Sequence, residues 1–330
     1  MPAIAPRALV SAITNAIDES GYVGQLTSPI RQHPRRFVVT GESEPFDMSV
    51  YAWTLTFGGR PALADEYRIQ MTSVASPLKR DTRGATILIG YEPNFNLFAG
   101  FDFERHQKFT AGSPSVQIDV TVLQEAERDG LSFHRKSNDE IAIGFRPDMF
   151  VAYARNAEVL HRYGREASVL RLLNQAVTEP VPSRQMHDLT KERQRVVTEV
   201  SRLSRDASFK KQIMFAYGNR CAVTRTQLRL VDAAHILPVG APGSVDIVQN
   251  GIALSPTYHR AYDAGLIHLD EDMVMRIVGA KVDMLGQLNL AGGVEQFCRP
   301  LGTIFMPPDP NQRPSAEFIR RANRFRQITD

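Results

Sequence analysis

The sequence predicts an α+β protein in two domains, a mixed β-rich N-terminal domain and a smaller C-terminal domain of short strands set among helices. Three observations predict it. The 330 residues exceed what one hydrophobic core usually organises, since domains run to about 100–200 residues. From position 36 to position 145, short β-branched and aromatic segments alternate with Gly, Pro, Asn and Asp turn signals. From position 194 the apolar residues recur at helical spacing before short strands return.

Composition excludes several classes. With 43% hydrophobic and 23% charged residues, the chain is neither disordered, collagenous nor a coiled coil. No stretch approaches the roughly 20 apolar residues of a membrane-spanning helix, and the segment Met1–Arg7 is no secretory signal, so a cytoplasmic protein without membrane contact is expected. The two cysteines, Cys221 and Cys298, supply neither a disulfide framework nor a four-cysteine zinc site. Any metal must therefore be held mainly by oxygen and nitrogen.

Leu9, Val10, Ile13, Ala16 and Ile17 predict a short amphipathic helix from about Arg7 to Ser20, ended by Gly21. The segments RFVVT, SVYAWTLTF, EYRIQMTSV, ATILIGY and NLFAGFDF predict strands of a mixed, curved sheet. Ser115–Gln124 adds a strand leading into a helix at Leu123–Asp129, EIAIGF adds another strand, and Pro147 opens a helix running to about Tyr163. After a helix ending at Leu172–Val177, Pro180 and Pro182 mark a linker. This divides the chain into residues 1–177, a linker at 178–193 and residues 194–330. The pattern from Gln194 to Tyr217 predicts two helices broken near Asp206, and the chain closes with strands near 252–254, 266–269 and 274–278 and a basic helix at Ser315–Arg326.

The formal charge of +3 conceals an asymmetry. Between Arg184 and Arg229 eleven Lys and Arg face four acids, a local +7 that leaves the rest of the chain at about −4. A basic middle is what a chain needs where it meets a polyanion.

The most informative stretch runs from Tyr217 to Leu269. His235 ends an apolar strand, Asn250 follows in a loop before Gly251, and His259 and Asp263 stand one helical turn apart. The runs AAHILP, NGIALSPTYH and YDAGLI resemble the HNH nuclease family, in particular bacterial restriction-type HNH domains with the pattern AAHI-x-P, NG-x-x-LSP-x-x-H and FD-x-GLI. The resemblance covers about fifty residues and implies a ββα-metal fold around one divalent ion. It implies His235 as the general base, since a neutral imidazole takes a proton from water at physiological pH. His259 and Asp263 become metal ligands and Asn250 a residue that bridges backbone groups and fixes the site. Mg²⁺ or Mn²⁺ is the expected ion.

Two departures from the family pattern alter the details. Relatives carry an Asp or His immediately before the strand histidine as a further ligand, where this chain has Ala234. Strand alternation puts Asp232 on the side of Ala234, so Asp232 is the expected replacement. Relatives also carry two CxxC pairs that bind zinc, where this chain has Cys221, Thr224, Ser255 and Tyr258. No structural zinc is expected, the scaffold relying on apolar packing, and chelators should abolish activity without unfolding the protein. Asp246 and Asp270 read as turn residues, His134, His161, His187 and His268 as structural, and Arg220 and Arg260 either as phosphate clamps flanking the site or as solvated surface residues.

The N-terminal domain carries no nuclease or nucleotide-binding motif. Arg60 lies in a polar cluster, and Glu66, Arg68 and Gln70 share one face of a strand, either a row of types that read base edges or phosphates or an internal Glu–Arg network that fixes the sheet. A curved β reader resembling the SRA-type or other pseudobarrel domains of restriction enzymes is expected. HNH contacts to phosphate carry no base information, so a separate reader fits a restriction endonuclease of type II or modification-dependent type IV, acting on double-stranded DNA as a homodimer. The alternatives are a non-specific effector nuclease of antiphage defence with an N-terminal sensor, and a catalytically inactive DNA-binding protein.

Overall fold

Strands such as Phe46–Thr54 lack polar alternation, and this marks a sheet buried on both faces. The computed structural model describes all residues except 1–2, 42–43, 59–64, 111, 113 and 329–330. Packing divides the chain into two units, Met1–Ala207 and Ser208–Asp330.

The first unit begins with α1 (Pro6–Glu19), β1 (Val23–Leu26), β2 (Arg35–Thr40), β3 (Phe46–Thr54), β4 (Thr56–Phe57) and β5 (Glu66–Gln70). It continues with β6 (Gly84–Glu92), β7 (Leu97–Phe101), α2 (Phe103–His106), β8 (Ser115–Asp119) and α3 (Val120–Asp129). Then come β9 (Leu131–Arg135), β10 (Ile141–Phe145), a 3₁₀ turn at Pro147–Met149, α4 (Phe150–Tyr163) and α5 (Ala167–Thr178). A seven-stranded sheet has the order β1-β2-β3-β6-β7-β10-β9, with β3 and β6 parallel and its other pairs antiparallel. It is a mixed sheet, as predicted. Along β3, Met48, Val50 and Ala52 join the core that includes α1, α4 and α5, while Tyr51 and Trp53 join a second core with Ile69 of β5, Val116 of β8 and Leu123 of α3. Strands β4, β5 and β8 form a separate antiparallel sheet. The strand β9 was not foreseen, because LSFHR is short and abuts helix α3 directly.

The basic segment departs from expectation. A single helix, α6 (Lys191–Ala216), replaces the predicted pair broken near Asp206. It contains no Gly or Pro, and Arg202 bridges both Glu199 and Asp206, so the aspartate is tied into the helix. The division between the units falls within this helix.

The second unit continues with β11 (Asp232–His235), β12 (Gly251–Leu254), α7 (Pro256–Asp263), β13 (Ile267–Leu269), β14 (Met275–Ile277), α8 (Gly279–Gln287), α9 (Val294–Cys298) and α10 (Ala316–Phe325). Strands β11 and β12 pair antiparallel, His235 facing Gly251, and α7 starts at Pro256 in the position where a missing N–H costs nothing. Ile213, Ala234, Ile252, Tyr262, Ile267 and Ile319 lie in its core. Gly251 is required by space: a Cβ there would come within 2.1 Å of Ile213 Cδ1. No helix among the described residues is long and apolar enough to cross a membrane.

Candidate active site

The end of β11, the loop before β12 and helix α7 carry the polar groups of the second unit. His235 is 17% exposed, and its Nε2 lies 2.9 Å from Oδ1 of Asp246. Its ring stacks on Phe209 of α6, centroids 3.9 Å apart. One edge of the imidazole therefore meets a carboxylate and one face meets an aromatic wall.

Asn250 is fully buried. Its Oδ1 accepts from the Leu237 amide at 2.8 Å, and its Nδ2 donates to Val245 O at 3.0 Å, Ser244 Oγ at 3.2 Å and Leu237 O at 3.3 Å. The bridging role expected of it is thus directed at the loop between His235 and Asp246, tied at both ends by one side chain. The C-terminal segment fastens the connection from β11 to β12 at further points. Arg326 donates to Ile236 O at 2.9 Å, Gln249 Nε2 donates to Asn311 O at 2.6 Å, and the Ser315 amide donates to Gln249 O at 3.0 Å.

His259 on α7 stands between two carboxylates. Its Nδ1 is 3.5 Å from Asp232 Oδ2 and its Nε2 is 3.3 Å from Asp263 Oδ2. The strand carboxylate and the helix histidine expected to share a metal are thus neighbours. Because the two carboxylates face different ring nitrogens, no group of three or more His, Cys, Asp or Glu among the described residues stands ready-made around one point. The donors nevertheless suit a hard divalent ion, which is commonly bound by one or two carboxylates with water completing its shell. Asp232 and Asp263 are about half exposed, which leaves either side chain room to turn toward an ion on His259.

The four positions of the zinc-binding pattern hold other contacts. Burial pushes the Cys221 thiol up, but hydrogen bonds from the Thr224 side chain and from the amides of Thr224, Ser255 and Val223 outweigh it and hold the thiol below its ordinary value. The Tyr258 hydroxyl donates to Phe297 O at 2.9 Å and its ring stacks on Phe297.

Arg220 and Arg260 are exposed, Arg260 directly following His259 on α7. In the first unit, Glu66, Arg68 and Gln70 share the face of β5 opposite the buried Ile69, and Arg68 is flanked across the sheet by Thr56 and Gln117. Arg60 lies outside the described residues.

Asp246, which reads from the sequence as a turn residue like Asp270, also meets the His235 ring, whereas the Asp270 side chain accepts from the Val274 amide at 2.8 Å. Nothing in a spacing of eleven residues across a loop distinguishes the two.

Residues 221–270 match the HNH endonuclease family. The C-terminal unit carries an HNH endonuclease domain. The protein is accordingly a nuclease, and the two strands and helix of the ββα arrangement are β11, β12 and α7. Residues 46–154 match a second family, described as Methylase-associated X1, so the nuclease domain is joined to an N-terminal domain of that kind. Among solved structures, one titled "Modification dependent TagI restriction endonuclease" is 12% identical over 94% of this chain and 85% of that one, with a TM-score of 0.30. No curated protein sequence matches the chain.

Proposed function

We propose that the protein is a restriction endonuclease that hydrolyses phosphodiester bonds of double-stranded DNA with His235 as general base. The observation that carries this reading is the HNH match over residues 221–270, within which His235 ends β11 and a neutral imidazole there can take a proton from water. Asn250 holds the loop beside it. Asp232, His259 and Asp263 are the residues that would hold a divalent ion, Mg²⁺ or Mn²⁺. Such an ion supplies neutralisation of the charge that develops on the phosphate oxygens. Arg220 and Arg260, exposed on the same unit, provide cations for the flanking phosphates.

Recognition is assigned to the N-terminal unit, through the outward row of Glu66, Arg68 and Gln70 and through Arg60. A match to a family described as methylase-associated supports an enzyme whose target is defined by the modification state of DNA, of type II or modification-dependent type IV. Cutting both strands at one site needs two active sites, which a homodimer supplies.

A plasmid cleavage assay with Mg²⁺ or Mn²⁺, on methylated and unmethylated DNA, tests this against His235→Ala. Discrete fragments from the wild type alone support restriction. A smear indicates an unspecific effector nuclease, and intact plasmid a DNA-binding protein.

A further inference from the structure

We propose that Asp246 is the positioning residue of His235, so that the working base is a His–Asp pair. The inference rests on the reading of His235 as the base and deepens it. A neutral imidazole carries one N–H and one lone pair, and which nitrogen holds which is decided by its partners. An ionised Asp246 carboxylate has no hydrogen to donate, so its Oδ1, 2.9 Å from Nε2, can only accept, which holds the hydrogen on Nε2 and the lone pair on Nδ1. The same carboxylate then stabilises the imidazolium once Nδ1 has taken a proton.

The geometry around the pair is built to keep it. Both side chains are more than two-thirds covered, which shields their interaction from water. Asp246 directly follows a loop whose two ends are fastened by the buried Asn250, so the asparagine serves to place the aspartate. Phe209 fixes the plane of the ring from the other side. In the step that follows, an O–H bond of water breaks and its proton goes to the Nδ1 lone pair. The water oxygen keeps the electron pair and bonds to phosphorus. The bond from phosphorus to the sugar oxygen breaks, and that oxygen leaves with its pair and takes a proton from solvent.

Two measurements on the full chain test the proposal. In the first, His235 is observed by ¹⁵N NMR above the imidazole titration range: the wild type shows the hydrogen on Nε2, and Asp246→Ala shows a mixture of tautomers or the other one. An unchanged tautomer in the variant overturns the proposal, whether or not the protein cuts DNA. In the second, single-turnover cleavage is compared for Asp246→Ala, His235→Ala and the double variant. Asp246→Ala is expected to slow cleavage about 10- to 100-fold with DNA affinity unchanged, and the double variant to be no slower than His235→Ala. Multiplying effects would show that Asp246 acts elsewhere. If the wild type cuts nothing, the nuclease reading of the site fails by itself while the tautomer result still decides the pairing.

Discussion

Phe209 lies flat against the imidazole of His235, the ring planes within 10° of each other. Phe209 is 3% exposed, so it is at once a core residue and the wall of the candidate base. Phe209→Ala is expected to cost about 3–5 kcal/mol in denaturant unfolding, the usual loss for a buried phenylalanine. Phe209→Leu should recover much of that stability while cleavage stays slow, because an aliphatic side chain fills the space without fixing the plane of the ring. Equal recovery of both quantities would show that the stack serves packing alone.

Gly251 is extended, with φ of −129°, so the backbone would accept any residue. Space does not. A Cβ would meet Ile213 Cδ1 at 2.1 Å and Phe209 Cζ at 2.9 Å. Gly251→Ala should therefore destabilise by about 1–3 kcal/mol, and adding Ile213→Val, which deletes the nearest clashing atom, should restore part of it. A double-mutant cycle in thermal unfolding measures this, and strict additivity would contradict it.

Asn250→Asp keeps the shape of a fully buried side chain but replaces its donating Nδ2 by an oxygen that faces the carbonyl oxygens Leu237 O and Val245 O. An unpaired buried polar group costs about 1–3 kcal/mol, more where it is charged. The aspartate variant should be less stable than Asn250→Ala by equilibrium unfolding. Both should lose cleavage as the loop bearing Asp246 is released.

Chelation is expected to stop cleavage and leave the unfolding temperature of the protein unchanged, since the core of the second unit is apolar and the Cys221 thiol is held by hydrogen bonds. Asp232→Asn should raise the Mn²⁺ concentration needed for half-maximal cleavage. An unchanged titration would remove Asp232 from the ligand set.

Acid should weaken the first unit in two windows. Burial, with Arg35 adding to it, lowers His33 to about 4, and burial likewise pushes down His161, which is held between Tyr153 Oη and Ile141 O. The unfolded chain binds these protons near 6.5, so stability falls as pH drops from 6.5 toward 4. Burial raises the Glu140 carboxyl, but hydrogen bonds and charge from His106 and Lys136 outweigh it and bring it to about 2. Its contribution, on the order of 3 kcal/mol, is complete above 4.5 and lost as pH falls toward 2. Denaturant midpoints across pH should show both slopes, and Glu140→Gln should flatten the lower one alone.

The sequence by itself determined most strand segments of the first unit, though not β1 or β9, the shared face of Glu66, Arg68 and Gln70, and the HNH motif with its order. All of these are written in short-range periodicity or in a contiguous motif. The tertiary structure alone decided that β3 and β6 run parallel, that α6 continues through Asp206, and that Asp246 meets His235. Periodicity reports which face a residue takes, whereas a carboxylate eleven positions from a histidine reaches its ring through the closure of the loop between them, to which the Asn250 side chain contributes at both ends.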